Sequence, residues 1–529
     1  MMNFDADVAI VGGGPVGLGL AIDLAQRGVT SYVIERSIEL HGIPKGQNLT
    51  QRSGEHFQAW GVSKEVRAAS PIPHDYGNAG VVAYGHLLGE YSYDWFKRSA
   101  VNQFYSAENE RLPQYEMERV LRTRVAELDE ITICYGCTAT ALNQNDNAAS
   151  IEFQNKKTDK ISNITTQYLV GCDGARSFVR KAIRIEQDID PHDRNMVLLV
   201  FKSTELNALL TKKYPGKSIY NTLAPELDGY WQFLGRVSLD GTWFYHAPVP
   251  LNTTAENFDF SAYLHSVIGA EFNIEFQHIG FWDLRMAVAK TYQNNRVFIA
   301  GDAAHSHPPY GGFGVNNGFE DVRNLSWKLA ASLQGWAGEG LLKSYSQERQ
   351  PVFTSTLRDF IARMISDDRD FCNTYAPDKA LLAFQAAWAE RAAAGNQDVT
   401  QYLPNYAGSS IISGQKGAKS GATGTHMFKA RAGHHLAPLQ DNVEIPLKLT
   451  GNSGFTLIEF GANSKLKRDF TKAAEKFNMP FSIVSIPKQA AGNTYGAEFI
   501  LLRPDGFVAW AGDIAIEGAD QILRRACGK

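Results

Sequence analysis

The stretch Ala6-Asp-Val-Ala-Ile-Val11-Gly12-Gly-Gly14-Pro-Val-Gly17 decides the fold. Its first half is a short apolar run, the pattern of a strand buried in a parallel sheet. Its second half is G-x-G-x-x-G. Residues 18–26 then read as a helix that Gly28 stops, and a second apolar run over 31–34 ends at Glu35. Each glycine has a job between strand and helix. Gly12 allows the tight turn, Gly14 lets the backbone approach a pyrophosphate, and Gly17 lets the helix pack against the strand. The helix start offers free N–H groups and a positive dipole end to phosphates. Glu35 lies 21 residues after Gly14, where a ribose-binding carboxylate is expected. The competing reading is a glycine-rich turn with no ligand; the β-α-β context favours dinucleotide binding. This motif alone does not separate FAD from NAD.

The chain has 529 residues, too many for one core, and predicts roughly three or four structural units. A net charge of −4 removes the usual electrostatic case for a nucleic-acid or anionic-membrane partner. No apolar run is long enough to span a bilayer. Asp5 and Asp7 flank the first apolar run, so the N-terminus lacks the basic region of a signal peptide. The five cysteines, Cys134, Cys137, Cys172, Cys372 and Cys527, are an odd and sparse set that fits a reducing, cytoplasmic setting. Cys134-Tyr-Gly-Cys137 formally reads C-x-x-C. It lies in a β-rich run, 131–142, with no helix start after it to lower a thiol pKa, and so reads as two incidental strand cysteines. No metal site is expected.

Two later segments narrow the cofactor. Tyr168-Leu-Val-Gly171-Cys-Asp173-Gly174-Ala-Arg-Ser177 is an apolar strand entering an Asp-Gly turn, followed by a helix-like stretch at 178–183. Alone it reads as an ordinary turn. Arg296-Val-Phe-Ile-Ala-Gly301-Asp302-Ala-Ala-His305 is another strand entering a tight turn. Pro308-Pro-Tyr-Gly311-Gly312-Phe-Gly314-Val-Asn316-Asn317-Gly318 comes next, then an amphipathic helix over 319–333 with Phe319, Val322, Leu325, Leu329 and Leu333 on one stripe. A glycine-dense loop that opens a helix brings bare backbone against a flat ligand and aims N–H groups at developing negative charge.

The three motifs, in this order and separation, resemble the group A flavoprotein monooxygenases, the enzymes built like p-hydroxybenzoate hydroxylase. The likeness is to the longer branch, with phenol hydroxylase, the aromatic polyketide hydroxylases and the RebC-like enzymes, and covers nearly the whole chain. It implies an α/β fold. A Rossmann-like FAD-binding domain is interleaved with an α+β substrate domain, and a thioredoxin-like domain follows. Carried over residue by residue, the resemblance implies FAD pyrophosphate contacts at Gly12, Gly14, Pro15, Val16 and Gly17, and adenosine-ribose contacts at Glu35 and Arg36. Asp302, after Gly301, would bind the ribityl or pyrophosphate region. Pro309, Gly311, Gly312, Gly314, Val315 and Asn316 would lie along the isoalloxazine, with backbone N–H groups near its pyrimidine edge. Asp173 and Gly174 match an Asp-Gly element linked to FAD and NAD(P)H. Gln114 matches a helix-start glutamine that contacts the ribityl chain. The sequence also departs from the family. The usual Pro-Arg-Ala after the ribose carboxylate is Pro44-Lys45-Gly46-Gln47-Asn48 here, leaving Lys45 and Gln47 as the contacts of an altered loop. The frequent methionine before the loop asparagine is Val315.

In that family NAD(P)H reduces FAD, O2 adds at the flavin C4a, and the hydroperoxide hydroxylates an electron-rich ring. The resemblance therefore implies a phenolic or N-heteroaromatic substrate and a base or relay that ionises it. It also implies a site that keeps water out while the flavin carries the chemistry. No second glycine fingerprint marks an NAD(P)H domain, which fits a transient co-substrate. Residues 197–202 and 230–248 read as strands with alternating aromatic and polar positions. Trp231, Phe233, Trp243 and Tyr245 are candidate pocket walls, against plain sheet packing. Arg285, His246 and His305 are the catalytic candidates, with His74, Tyr76 and His307 as further relay groups.

Residues 341–364 and 377–394 read as helical, and the Gly/Ser/Ala-rich stretch 406–433 as a linker or loop. Then come strand 455–460, helix 464–477, strands 481–486 and 498–503, a turn at Pro504-Asp-Gly506, strand 507–510 and helix 520–526. That order resembles the thioredoxin-like domain of the phenol hydroxylase branch. Gly461-Ala-Asn-Ser464 stands where redox thiols would sit, so the domain reads as structural. The predicted division is 1–75, 110–185 and 280–365 for FAD, 76–109 and 186–279 for the substrate sheet, 366–433 for helices and linker, and 434–529 for the last domain. A monomer or homodimer is expected. Two rival readings remain: another FAD-dependent oxidative tailoring enzyme or reductase on the same fold, and a non-catalytic FAD-binding assembly protein.

Overall fold

The computed structural model describes residues 3–78, 80–439, 454–461, 464–487 and 494–529. From the N-terminus, β1 (Ala6–Val11), α1 (Pro15–Ala25) and β2 (Ser31–Glu35) lead to α2 (Gln114–Val125), β3 (Ile131–Tyr135) and β4 (Ile161–Gly171). Next come β5 (Gln187–Lys202), β6 (Gln232–Arg236), β7 (Thr242–Pro250) and β8 (Glu275–Ala289). β9 (Val297–Ile299), α3 (Gly314–Leu333) and α4 (Glu339–Thr356) follow. The C-terminal third holds β10 (Phe455–Phe460), β11 (Phe481–Ile486), β12 (Phe499–Leu502) and β13 (Val508–Gly512).

The first sheet has eight strands, and its centre runs β9-β4-β1-β2-β3 as parallel neighbours. Val8, Ala9 and Ile10 in its centre are fully buried, in one core shared with helix α1, helix α3 and the antiparallel strands 137–144 and 149–155. The expected α/β fold is present, and the first two strand ends carry the glycine loop and Glu35. Cys134 and Cys137 are joined as a disulfide, with Cα atoms 5.9 Å apart. This corrects the expectation of two incidental thiols: the turn at Tyr135–Gly136 brings the ends of adjacent strands together.

The second sheet has eight strands and includes β8-β5-β7-β6 as antiparallel neighbours. Its two faces have separate cores. Residues with even numbers on β7, such as Phe244, face the cluster that contains Tyr310 and Phe313 of the glycine loop. Odd-numbered Trp243, Tyr245, Ala247 and Val249 face outward against helices Thr204–Lys213 and Phe260–Ile268.

Sequence periodicity predicts an amphipathic helix from 319. The helix instead starts at Gly314, and every residue from Asn316 to Ala331 is buried. Its polar side is covered by the C-terminal third, which has sheet order β11-β10-β12-β13 with β10 and β11 parallel. The junction is the turn Arg503-Pro504-Asp505-Gly506. Arg503 forms a two-pronged ion pair with Glu348 of α4, at 2.7 and 2.9 Å, and Lys328 Nζ lies 2.7 Å from the same carboxylate. Trp327 Nε1 donates to Asp505 at 3.1 Å. The 406–433 stretch, expected as a loose linker, is packed: the Tyr406 ring lies 4.1 Å from that of Phe507. Of Gly461–Ser464, residues 462 and 463 lie outside the described residues. Among the described residues, no helix is long and apolar enough to cross a membrane.

Candidate functional site: a dinucleotide cradle against an aromatic sheet face

The glycine loop after β1 is built to three different standards. Gly12 has φ +107°, and a Cβ there would lie 2.3 Å from the Cys172 carbonyl oxygen. A Cβ on Gly17 would lie 1.9 Å from the Gly12 oxygen. These two are glycine because the fold leaves no room. A Cβ on Gly14 meets nothing within 4 Å, so that position opens onto free space. Gly14 caps α1 without a side chain, and Pro15 at the first helical position has no N–H to lose. The Val16 and Gly17 N–H groups of the first turn have no intrahelical partner. Glu35 is held at the loop, its Oε2 accepting from Gly13 N–H at 2.6 Å and its Oε1 from Ser37 N–H at 2.6 Å. Each oxygen keeps a second lone pair for a hydroxyl. Arg36 beside it is exposed.

The other strand ends close on the same place. Gly301 has φ +60°, and Cβ atoms on Gly301 and Gly318 would lie 3.0 and 2.6 Å from Val16 Cγ2. Bare backbone therefore lets α1, the Gly301-Asp302 turn and α3 converge. The Asp302 residue is exposed at this turn. Desolvation by the surrounding protein pushes its carboxyl pKa up, and His305 and Lys45 oppose the rise. Asp173 has a different role from that implied by resemblance. Its oxygens accept from Ser177 Oγ at 2.5 Å and Val179 N–H at 3.0 Å, which fixes Ser177, the cap of the short helix Phe178–Ala182.

Gly311 and Gly312 take φ +67° and +64°. A Cβ on Gly311 would lie 2.2 Å from the Phe313 ring. No side chain caps the start of α3, which leaves its first-turn N–H groups available. The loop is braced by Asn316. Its Oδ1 accepts from Thr50 N–H at 2.8 Å and Ser53 Oγ at 2.6 Å, and its Nδ2 donates to the carbonyls of Asn48 at 2.8 Å and Gly312 at 2.6 Å. The side chain is a strut, so any cofactor contact from Asn316 is through its backbone. Pro309 and Gly314 are half-buried beside it. A Cβ on Gly46 would lie 3.7 Å from Val315 Cγ1 and 3.8 Å from Gln114 Oε1, which places the altered loop, Gln114 and Val315 together. Gln114 Nε2 donates to Glu118 at 2.6 Å. Lys45 is exposed. Gln47 is 5% exposed, yet neither atom of its amide has a hydrogen-bond partner. His307 Nε2, near Gly314, also lacks one. Buried polar groups are normally paired. An open pyrophosphate position, uncapped helix starts and an orphaned amide are what FAD would complete, and the residues present fit it.

On the sheet side, the candidate walls divide. Phe233 faces the inner cluster with Phe244, and the His246 ring lies 5.2 Å from Trp282. Trp243 and Tyr245 are corrected: strand alternation turns them to the outer core, away from the cradle. Trp231 braces the loop, its backbone N–H donating to Tyr310 Oη at 2.9 Å and its indole to Asp368 at 2.7 Å. Burial lowers the His246 pKa to about 3, so it is neutral at physiological pH. His305 is corrected as a catalytic candidate. It is 1% exposed, stacks on Phe353 at 3.8 Å, and places Nε2 2.6 Å from Asp321, which is bound in turn to Arg349 at 2.7 Å. His307 is pushed down to about 4 by burial. Arg285 is half-buried, with Nη2 3.3 Å from the Ala175 carbonyl. His74 lies 3.2 Å from Glu108 near the surface. Tyr76 offers its backbone carbonyl to Ser218 Oγ at 2.6 Å.

Two arginines carry the site and were not anticipated. Arg98 Nη2 donates to the Gly311 carbonyl at 2.8 Å. Arg111 ties Asn48 Oδ1, at 2.9 Å, to the Arg236 carbonyl of β6, at 2.7 Å. Neither belongs to a motif, and no local pattern marks them.

Comparison with known proteins agrees with this geometry. Residues 5–359 match the model of the FAD binding domain family, and residues 430–529 match that of the aromatic-ring hydroxylase C-terminal family. The FAD-dependent monooxygenase apdD of Emericella nidulans is 26% identical, covering 98% of this chain and 90% of that protein. A rifampicin monooxygenase of Streptomyces venezuelae is 31% identical over 66% of this chain and 69% of its own length. RebC solved with bound 7-carboxy-K252c superposes with a TM-score of 0.83 at 28% identity, covering all of both chains. Aklavinone-11 hydroxylase, at 23% identity and a TM-score of 0.80, shares the fold.

Proposed function

The chain belongs to the family of FAD-binding aromatic-ring hydroxylases, and on that premise we propose that it is a single-component monooxygenase that hydroxylates a phenolic or N-heteroaromatic ring with NAD(P)H and O2. The observation that supports this best is the placing of an FAD cradle with unspent donors against an aromatic sheet face. Bound there, FAD would supply electron transfer from NAD(P)H and the activation of O2. The residues of the chain do the rest. Val16 and Gly17 N–H groups would hold the pyrophosphate, Glu35 would accept from the ribose, and Asp302 would hold the ribityl region. The first-turn N–H groups of α3 would stabilise negative charge at the isoalloxazine edge. Phe233, Phe244 and Trp282 hold the substrate ring and keep water from it. His246 offers a neutral Nδ1, unpartnered in the structure, to a phenol hydroxyl.

The domain division given above for FAD, substrate sheet and C-terminal domain is part of the proposal. So are a cytoplasmic monomer or homodimer and a nicotinamide that visits transiently. The test uses purified FAD-loaded protein with NADH or NADPH, a panel of phenols and N-heteroaromatics, and isotopically heavy O2. Substrate-stimulated NAD(P)H oxidation with heavy oxygen in the product is expected. If no aromatic speeds flavin reduction or gains oxygen, the reading fails and a non-hydroxylating role takes its place.

A further inference from the structure

A second chamber lies behind the glycine loop, between the start of α3 and the C-terminal third. It is open to solvent on one side and, with that mouth included, spans about 590 Å³. None of Phe233, Phe244, His246 or Trp282 lines it, so it is separate from the substrate face, and it meets the back of the cofactor loop at Asn316. Its walls are of two kinds. Tyr105, Tyr402 and Phe507 give flat apolar surface; the charged side holds Arg98 and the ion pair of Arg52 with Glu320, in which the carboxylate is already answered.

Arg98 is the unusual member. It is 6% exposed, its Nη2 donates to the Gly311 carbonyl, its guanidinium lies 4.4 Å from the centre of the Phe96 ring, and its buried Nε has no acceptor. No carboxylate among the described residues pairs with it. The buried arginines around the chamber are matched. Arg52 has Glu55 and Glu320, Arg323 has Asp23, Arg349 has Asp321, and Arg503 has Glu348 and Asp505. A buried guanidinium without a counter-charge is costly. The cost appears as an Arg98 pKa drawn down to about 10 by burial, opposed only by the distant phenols of Tyr402 and Tyr105.

We propose that this chamber binds a small aromatic carboxylate, with its anionic end on Arg98 and its ring between Tyr105, Tyr402 and Phe507. A carboxylate matches the guanidinium fork with two parallel hydrogen bonds and cancels one charge with one charge, whereas a phosphate dianion would leave an excess. The aromatic walls are fixed in place and need no rearrangement. Tyr105 stacks on His435 at 5.4 Å, and Tyr402 accepts from Asn317 Nδ2 at 3.0 Å. The ligand would touch the cofactor loop at Asn316 and through Arg98, because the same guanidinium holds the Gly311 carbonyl. The chamber therefore gives a bound acid a route to the flavin loop that does not pass through the substrate site. The inference rests on the chamber alone and stands whichever ring the enzyme oxidises.

The experiment uses FAD-loaded protein and two probes. Crystals soaked in 4-bromobenzoate should show anomalous bromine density inside the chamber, with the carboxylate on Arg98. Bromine found only on the substrate face of the sheet, or nowhere at millimolar concentration, overturns the proposal. In solution, ¹⁹F NMR titration of 4-fluorobenzoate should give a Kd that Arg98→Gln weakens about tenfold or more, as expected for a charged hydrogen bond. Val399→Trp fills the chamber and leaves Arg98 in place, so it should abolish the same signal. Unchanged binding in either folded variant sinks the idea.

Discussion

The two flanks of α3 solve opposite problems. Its N-terminal end meets the glycine loop, where the protein leaves donors unspent and removes side chains. Its polar flank meets the 503–507 turn, where charged side chains are fully buried and every one is answered. Arg503, Glu348, Lys328, Asp505 and Trp327 form a closed set there. At the other end the Gln47 amide is orphaned and Gly14 opens onto empty space. Burial alone thus does not distinguish a ligand site from a structural joint. Charge pairing and open space do: the joint pairs its buried charges within the chain, whereas the glycine-loop end leaves an amide and bare backbone facing free space.

Breaking the closed set should cost most. Arg503→Met leaves Glu348 with Lys328 as its one cation, beside the Asn324 amide and the Ser409 hydroxyl, and takes the cation from Asp505, so a loss of about 3–5 kcal/mol is expected. Chemical denaturation should show it, while the FAD-to-protein ratio of the folded fraction is unchanged. A loss below about 1 kcal/mol would mean that the network is incidental.

The same set predicts acid sensitivity. Arg503 and Lys328 hold the Glu348 carboxyl below its ordinary value, and His435 and Arg52 do so for Glu55. Carboxylates with depressed folded pKa values stabilise the protein above their unfolded value, near 4.5. That stability is lost as pH falls through the folded values. Melting temperature should therefore drop steeply below about pH 4.5, and less steeply in Arg503→Met, where Glu348 has lost its main partner. Parallel profiles would break the link between this joint and acid stability.

At the open end the expected effects move from stability to binding. Gly14→Val places carbon where nothing lies within 4 Å and where φ is −76°, so the apoprotein should lose no more than about 1 kcal/mol. FAD affinity should fall about 100-fold or more, because that space is where the pyrophosphate would enter. Flavin absorbance per protein measures it. Full retention of FAD would place the cofactor elsewhere.

How much of this was readable beforehand follows the same divide. Glycines forced by geometry, such as Gly12 and Gly17, stand at fixed spacing in one loop, so strand, helix and phosphate position could be read from the local sequence. The start of α3 could not: apolar periodicity begins at Phe319, whereas the helix begins at Gly314, in a segment whose composition reads as a loop. Strand alternation in β7 was visible, but which of its two faces met the cofactor loop depended on two distant cores. Trp243 and Tyr245 were therefore assigned to the wrong side. Arg98 and Arg111 act across 213 and 125 residues, on Gly311 and Arg236, and no local spacing encodes contacts of that kind.

The smallest effect is the sharpest test of the comparison. Gln47 is buried with an amide that the chain does not satisfy, a state that costs about 1–3 kcal/mol when no ligand is present. Gln47→Leu keeps similar volume and removes the unsatisfied groups. If the amide is reserved for the cofactor, the substitution should act in opposite directions on the two forms. The apoprotein should melt higher, and FAD should bind about tenfold more weakly, a loss of roughly 1.4 kcal/mol. If Gln47 were an ordinary structural residue, both forms would shift together. The sign of the apoprotein shift is therefore more informative than its size: it tells whether the chain carries an unmet hydrogen bond for a partner or for no reason the fold supplies.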